Sequence, residues 1–204
     1  MIILRLRLMI WIAAAFFLAA ISAPGGEFDR IKNKYASAGM IELEIKIFIK
    51  SEVFDDIDTT YGSVLIARDG RYLADIGDDI YLFDGRCSWE YSSENNQATK
   101  RCLKDDETWE HSFSFLRDLD RFYKSFDSTD DSLYRMMKVK KTESNLPDTL
   151  TVHLNDSGLT SIEYFDLNGD LNQVFILGQA FSDTLDSTRF IFNLPDSAEV
   201  ISLP

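Results

Sequence analysis

The spacing of apolar positions along this chain changes from helical to alternating and back more than once. From Glu27 to Ser37, Phe28, Ile31 and Tyr35 recur at intervals of three and four, which predicts a short amphipathic helix stopped by Gly39. Alternation follows. Leu43, Ile45, Ile47 and Ile49 fall on one face, and Glu42, Glu44, Lys46 and Lys50 on the other, as in a strand with one buried and one wet side. Acidic Asp55 to Thr60 reads as the loop into Gly62.

From Gly62 to Cys102 the pattern is an antiparallel meander. Short β-rich runs are parted by Asp69-Gly70, Asp84-Gly85 and the polar group Ser92 to Asn96; Asp and Gly tolerate the positive φ that hairpin turns need. Val64, Ile66 and Arg68 share one strand face. Tyr72 to Ala74 and Ile80 to Phe83 make two further strands. Arg86 to Tyr91, with Cys87, Trp89 and Tyr91 on one face, and Ala98 to Leu103 complete the meander.

Between His111 and Phe126 the period lengthens again. Phe113, Leu116, Leu119, Tyr123 and Phe126 stand three or four apart, widened by Phe115 and Phe122, which predicts a helix with a broad aromatic face. Such a helix is either packed permanently on the sheet or laid as a lid over an apolar cavity. Beyond the loop Asp127 to Asp131, strands are expected at Tyr134–Lys140, Thr149–Leu154, Leu159–Phe165, Leu171–Leu177 and Thr188–Asn193. Asn155 to Gly158 and Asn168-Gly169 supply turns between them. About ten strands with one inserted helix predict a mainly β domain over residues 23–204, its antiparallel sheet curled into a barrel or part of one.

Composition narrows the partners. The 204 residues carry a net charge of −13, which argues against nucleic acid or an anionic membrane surface as the main partner. Arg5 and Arg7 precede an apolar run from Leu8 to Ile21, and Ala20-Ile21-Ser22 offers small residues at a cleavage site, the layout of a secretory signal peptide over residues 1–22. Retained, the same segment would be a membrane anchor. Removal of Arg5 and Arg7 takes the net charge from −13 to −15. No Cys lies near the cleavage site for lipidation.

Export to an oxidising compartment would let Cys87 and Cys102 form a disulfide. A turn centred on Glu94-Asn95 sets them opposite one another across a hairpin, close enough to bond. Catalytic signatures are not apparent: His111 and His153 are far apart, and neither a nucleophile elbow nor a glycine-rich phosphate loop occurs. Asp166 to Asp170 has the glycine of a calcium loop at the wrong position, so it reads as a hairpin turn. No enzyme and no cofactor are expected.

Several features stand in a familiar order: the exported start with its short helix and strand, then Arg68, Asp84-Gly85, Trp89, Tyr91 and Gln97. A tail follows with Leu159 to Phe165, Asp166 with Gly169, Thr188-Arg-Phe-Ile-Phe-Asn-Leu-Pro-Asp and Val200-Ile201. In this the chain resembles the outer-membrane lipoprotein carrier family of bacteria. The resemblance implies an incomplete antiparallel barrel closed by helices around an apolar cavity. It also implies a monomeric periplasmic chaperone, which takes lipoprotein acyl chains from an inner-membrane transporter to an outer-membrane acceptor. The acyl-chain cavity is then assigned to Ile45, Ile47, Val64, Ile66, Trp89, Tyr91, Phe113, Leu116, Phe190 and Phe192.

The family's early strand often ends in Arg-Pro, whose Arg bonds to the lid helix. Here Arg68-Asp69 stands there, so Arg68 is the expected latch, with Arg71 as its rival. The missing lipidation Cys favours the soluble carrier over the acceptor of the same fold. Two other readings remain open at this point: an envelope regulator that senses lipid or lipoprotein, and a structural envelope protein without cargo.

Overall fold

The computed structural model describes residues 26–104, 114–130, 132–139 and 146–203. The expected signal segment, His111, Phe113 and Lys140 lie outside them. In chain order the elements are α1 (Glu27–Ser37), β1 (Met40–Lys50), β2 (Ile57–Ala67), β3 (Tyr72–Ile76), β4 (Asp79–Phe83), β5 (Cys87–Ser92) and β6 (Gln97–Cys102). A 3-10 turn (Ser114–Leu116) and α2 (Leu119–Phe122) follow, then β7 (Tyr123–Asp130), β8 (Leu133–Lys138), β9 (Thr149–Asn155), β10 (Gly158–Phe165) and β11 (Leu171–Ser182). A second 3-10 turn (Ser187–Arg189) and β12 (Glu199–Leu203) end the described chain.

These strands join one sheet in the order β12-β6-β5-β4-β3-β2-β1-β11-β10-β9-β8-β7, which does not close on itself. This is an incomplete barrel, as expected. Among the described residues every pairing is antiparallel except β12 with β6, which is parallel. Alternation sets the register. Leu43 of β1 lies opposite Val64 and Ile41 opposite Ile66, and all four are buried. Turn chemistry holds too: Gly70, Gly85 and Gly169 adopt φ of 91°, 99° and 87°, values only glycine takes without strain.

Four expectations fail, among them the loop at Asp127 to Asp131, whose residues through Asp130 are part of β7 and pair with β8. The helix over His111 to Phe126 is, within the described residues, a 3-10 turn, one helical turn and then a strand, so Tyr123 to Phe126 belong to the strand paired with β8. Lys124-Ser125-Phe126-Asp127-Ser128-Thr129 is poor in helix formers, and cross-strand pairing wins. Asp58 to Thr60 are strand, because they pair with Ile49, Phe48 and Ile47 of β1. Thr188 to Asn193 join no ladder; their apolar alternation comes from packing on the sheet's outer face.

The sheet is covered on both sides at its centre, where Val64, Leu65, Ile66 and Ala67 are all buried. The inner face carries the main core: Ile41, Leu43, Ile45, Val64, Ile66, Val152 and Ile162 meet Ile31 and Tyr35 of α1, with Phe122 and Tyr123. The outer face carries a smaller one, in which Met40, Leu65, Ala67 and Leu82 lie under Phe190.

Candidate functional site

The inner face is only partly filled. α1 lies across it, because Ile31 and Tyr35 are on its buried side and Phe28 stacks on Tyr134 with ring centroids 4.2 Å apart. The Tyr35 hydroxyl donates to Gln179 Oε1 at 2.8 Å, fixing the helix on β11. Burial holds that hydroxyl well above its ordinary pKa, so it stays neutral.

Between α1, the 114–122 segment and strands β9 and β10 lies a cavity of about 290 Å³, walled by Phe28, Ile31, Leu116, Leu154 and Leu159. A second cavity, of about 710 Å³, lies between Leu146–Leu150 and the end of β10. Phe115 and Ile162 line both, so the two adjoin across that pair. Lys32 at the edge of the smaller cavity reaches Asp120 at 2.8 Å and Asp29 at 3.0 Å, tying α1 to α2. Burial pulls the Lys32 pKa down, and the two carboxylates more than offset it.

One end of this hollow is tied by guanidinium groups. Arg117 enters from the 114–122 segment and donates to four backbone carbonyls: Tyr35 at 3.5 Å, Ala38 at 2.9 Å, Gly39 at 3.4 Å and Ile66 at 3.1 Å. Its Nε is buried and finds no partner among the described residues. Burial, with Arg68 as the next cause, lowers its pKa to about 10. A charge so placed is tolerable because the last carbonyls of a helix have no partners within it and carry partial negative charge.

Arg68 is exposed, beyond the end of β2, and donates to the Ser37 carbonyl and, at 3.3 Å, to that of Ala38. These carbonyls belong to the end of α1, not to the aromatic segment. Arg71 instead pairs with Asp69 at 2.7 Å and lies over the Phe190 ring. Neither arginine reaches the 114–122 segment through the bonds described. Sequence reasoning missed Arg117; the available signal was a long cation directly after Phe115-Leu116 in an apolar run.

The residues assigned to one acyl-chain cavity occupy two faces. Ile45, Val64 and Ile66 are buried in the inner core and Ile47 packs against it, while Leu116 lines the smaller cavity. Trp89, Phe190 and Phe192 belong to the outer face, where Tyr91 also meets Phe192 with centroids 5.4 Å apart. A strand's alternation gives side but not sense: Cys87, Trp89 and Tyr91 share a face as expected, and that face is the outer one. Cys87 and Cys102 face each other across β5 and β6 and are joined by a disulfide.

Among the described residues no group of three or more His, Cys, Asp or Glu is placed to hold a metal ion. The hollow's walls are chiefly side chains that gain by leaving water, and its size falls in the range of about 300–1,000 Å³ typical of ligand pockets. Its chemistry is that of a receptor for an apolar guest.

No family model matches the chain. Over 201 residues it is 20% identical to an outer-membrane lipoprotein carrier protein from Azotobacter vinelandii, covering 96% of this chain and 97% of that one. An uncharacterized conserved protein from Thermus thermophilus has the same fold, with a TM-score of 0.51 at 7% identity over 87% of this chain and 97% of the other. A LolA superfamily protein from Nitrosomonas europaea aligns over 81% of this chain and 96% of its own length, with 11% identity and a TM-score of 0.45. The chain resembles the lipoprotein carrier family along nearly its whole length.

Proposed function

We propose that this chain is a periplasmic carrier that shelters the acyl chains of lipoproteins in its hollow. The observation behind this reading is the pair of adjoining apolar cavities on the inner face of an open half-barrel. Each methylene removed from water contributes about 0.8 kcal/mol, so an exposed multi-chain anchor is strongly disfavoured and needs a shield in transit. The cavities supply that shield. Similarity to an outer-membrane lipoprotein carrier protein supports lipoprotein as the cargo; the donor and recipient in this reading are an inner-membrane transporter and an outer-membrane acceptor. The Cys87–Cys102 disulfide fits the oxidising periplasm.

A carrier must also let its cargo go. An empty state held by polar contacts at one end of the hollow can be opened without disturbing the β1–β2 core, and Arg117 makes contacts of that kind.

Purified protein titrated with a fluorescent fatty acid tests the reading. We expect saturable binding that a triacylated lipoprotein displaces and the same protein without its lipidated Cys does not. Equal displacement by both, or none by either, would refute lipoprotein carriage. Failure of every acyl probe to bind would leave a structural role for the hollow.

A further inference from the structure

The end of the sheet opposite Arg117 presents a second surface, made by two neighbouring turns. Residues 51–56 join β1 to β2, and 166–170 join β10 to β11. They lie side by side because Lys50 pairs with Leu171 across β1 and β11. The Glu52 amide donates to Asp170 Oδ1 at 2.9 Å, which fixes one turn on the other. Each is also braced internally: Ser51 N donates to the Asp56 carbonyl at 3.0 Å, and Asp166 Oδ1 accepts from Asn168 N at 2.8 Å and Asp170 N at 3.1 Å.

These braced turns hold large apolar side chains out in water. Val53 is 74% exposed, Phe54 81%, and Leu167 fully so. Ile57 and Phe165 flank them and are also exposed. Surface apolar residues standing singly are ordinary, but a cluster on adjacent turns with a polar rim marks an interaction site. The rim here has one sign. Among the described residues of these turns and their flanks, Glu52, Asp55, Asp56, Asp58, Asp166 and Asp170 face a single cation, Lys50, which lies 3.6 Å from Asp55.

We propose that this surface is a docking site for a protein partner whose own surface offers an apolar recess within a basic rim. The charge pattern decides between candidate occupants. A second copy would bring acidic rim against acidic rim, and an anionic bilayer would be repelled in the same way. A basic-rimmed protein is attracted at long range and then buries Phe54 and Leu167. Leu167 also lines the 710 Å³ cavity, so the docked partner would border its opening. The surface stands on its own geometry, whether or not the hollow takes acyl chains.

The test is a photocrosslinking amino acid placed at position 54, with position 191 at the sheet's other end as control, in the cells that make the protein. An adduct with one protein at 54 and not at 191 is expected. That protein, purified, should bind the wild-type chain and lose at least tenfold in affinity to Phe54→Ser/Leu167→Ser. It should also bind more weakly as salt rises, and to Glu52→Lys/Asp55→Asn, which keeps the apolar residues. Both variants should retain wild-type melting temperature, and Glu52→Lys/Asp55→Asn, whose residues line neither cavity, should also retain acyl-probe binding. Adducts to phospholipid, with sedimentation on phosphatidylcholine vesicles that the Phe54→Ser/Leu167→Ser variant loses, would make this a membrane tip and overturn the proposal. So would a self-adduct, the same adducts at both positions, or binding unchanged in either variant.

Discussion

The two ends of the sheet solve opposite problems with the same strands. At the end where α1 meets β1, backbone carbonyls converge and are met by Arg117 and Arg68, and the Cys87–Cys102 bridge closes the nearby hairpin. At the other end the strands give way to a cavity of about 710 Å³ and to turns whose apolar tips touch water. Polar groups at the first end are used to hold elements together. Apolar groups at the second are left without a cover. The difference teaches that polar ties and uncovered apolar groups are separated along the strand direction, so that a change in one end can leave the other intact.

The largest effect should follow loss of the bridge. Cys87→Ser/Cys102→Ser frees a hairpin of sequence separation 15 and should cost about 3 kcal/mol, read as a lower denaturation midpoint in urea. Midpoints that coincide for wild type and variant would remove the bridge from the tied end.

Arg117→Ala should come next, at about 2 kcal/mol, because buried carbonyl acceptors lose their donor. The sign of its pKa shift matters here. A base whose folded pKa is lowered to about 10 has its charged form disfavoured by folding, a cost present at neutral pH and relieved only as pH rises through 10 and beyond. The carbonyl bonds must outweigh that cost. If Arg117→Ala is neutral or stabilising while acyl-probe affinity is unchanged, the end is not tied through Arg117.

Alkaline pH should loosen the inner face at both ends, through Tyr35 beside Arg117 and through Tyr123 and Tyr164 beside the larger cavity. Burial raises the pKa of Tyr35, Tyr123 and Tyr164, so their ionised forms are disfavoured in the fold. Stability should then be level to about pH 10, the ordinary tyrosine value, and fall beyond it. Tyr35→Phe should flatten that fall; a profile identical to wild type would place the titration elsewhere.

The smallest effects should separate the ends most sharply. Arg68→Leu, which loses one exposed and one partly buried bond, should cost no more than about 1 kcal/mol, and Leu167→Ser at the far end should stay within about 0.5 kcal/mol of zero. A Leu167→Ser loss approaching that of Arg117→Ala in thermal melts would show that the far end carries stability after all.

Much of this arrangement was legible in residues. Asp69-Gly70, Asp84-Gly85 and Asn168-Gly169 mark turns because their conformations admit few other residues, and the α1 boundaries follow from helical spacing and Gly39. A side chain on Gly39 would collide with the Asp183 carbonyl, a contact no sequence pattern announces. The site was harder to read. Val64 to Ala67 are buried on both faces, so alternation could not say whether Trp89 and Tyr91 point into the hollow or away from it. Leu119, Phe122, Tyr123 and Phe126 fit a helical period as well as they fit a turn followed by a strand. Arg117 acts through main-chain carbonyls brought from α1 and β2, and backbone acceptors leave no mark in a sequence.

The strand order also governs how the molecule must be assembled. β1 to β6 form a meander of near neighbours, and β7 to β11 form another. They meet along one seam, where Met40 pairs with Ser182 and Lys50 with Leu171. Residues on the order of a hundred positions apart must find register there, and closing such a loop costs entropy before any contact is gained. Each meander can form early and by itself. The β1–β11 seam, like the β12–β6 pairing of similar separation, is therefore expected to close late, and until it closes the inner faces of both halves lie open to neighbouring chains.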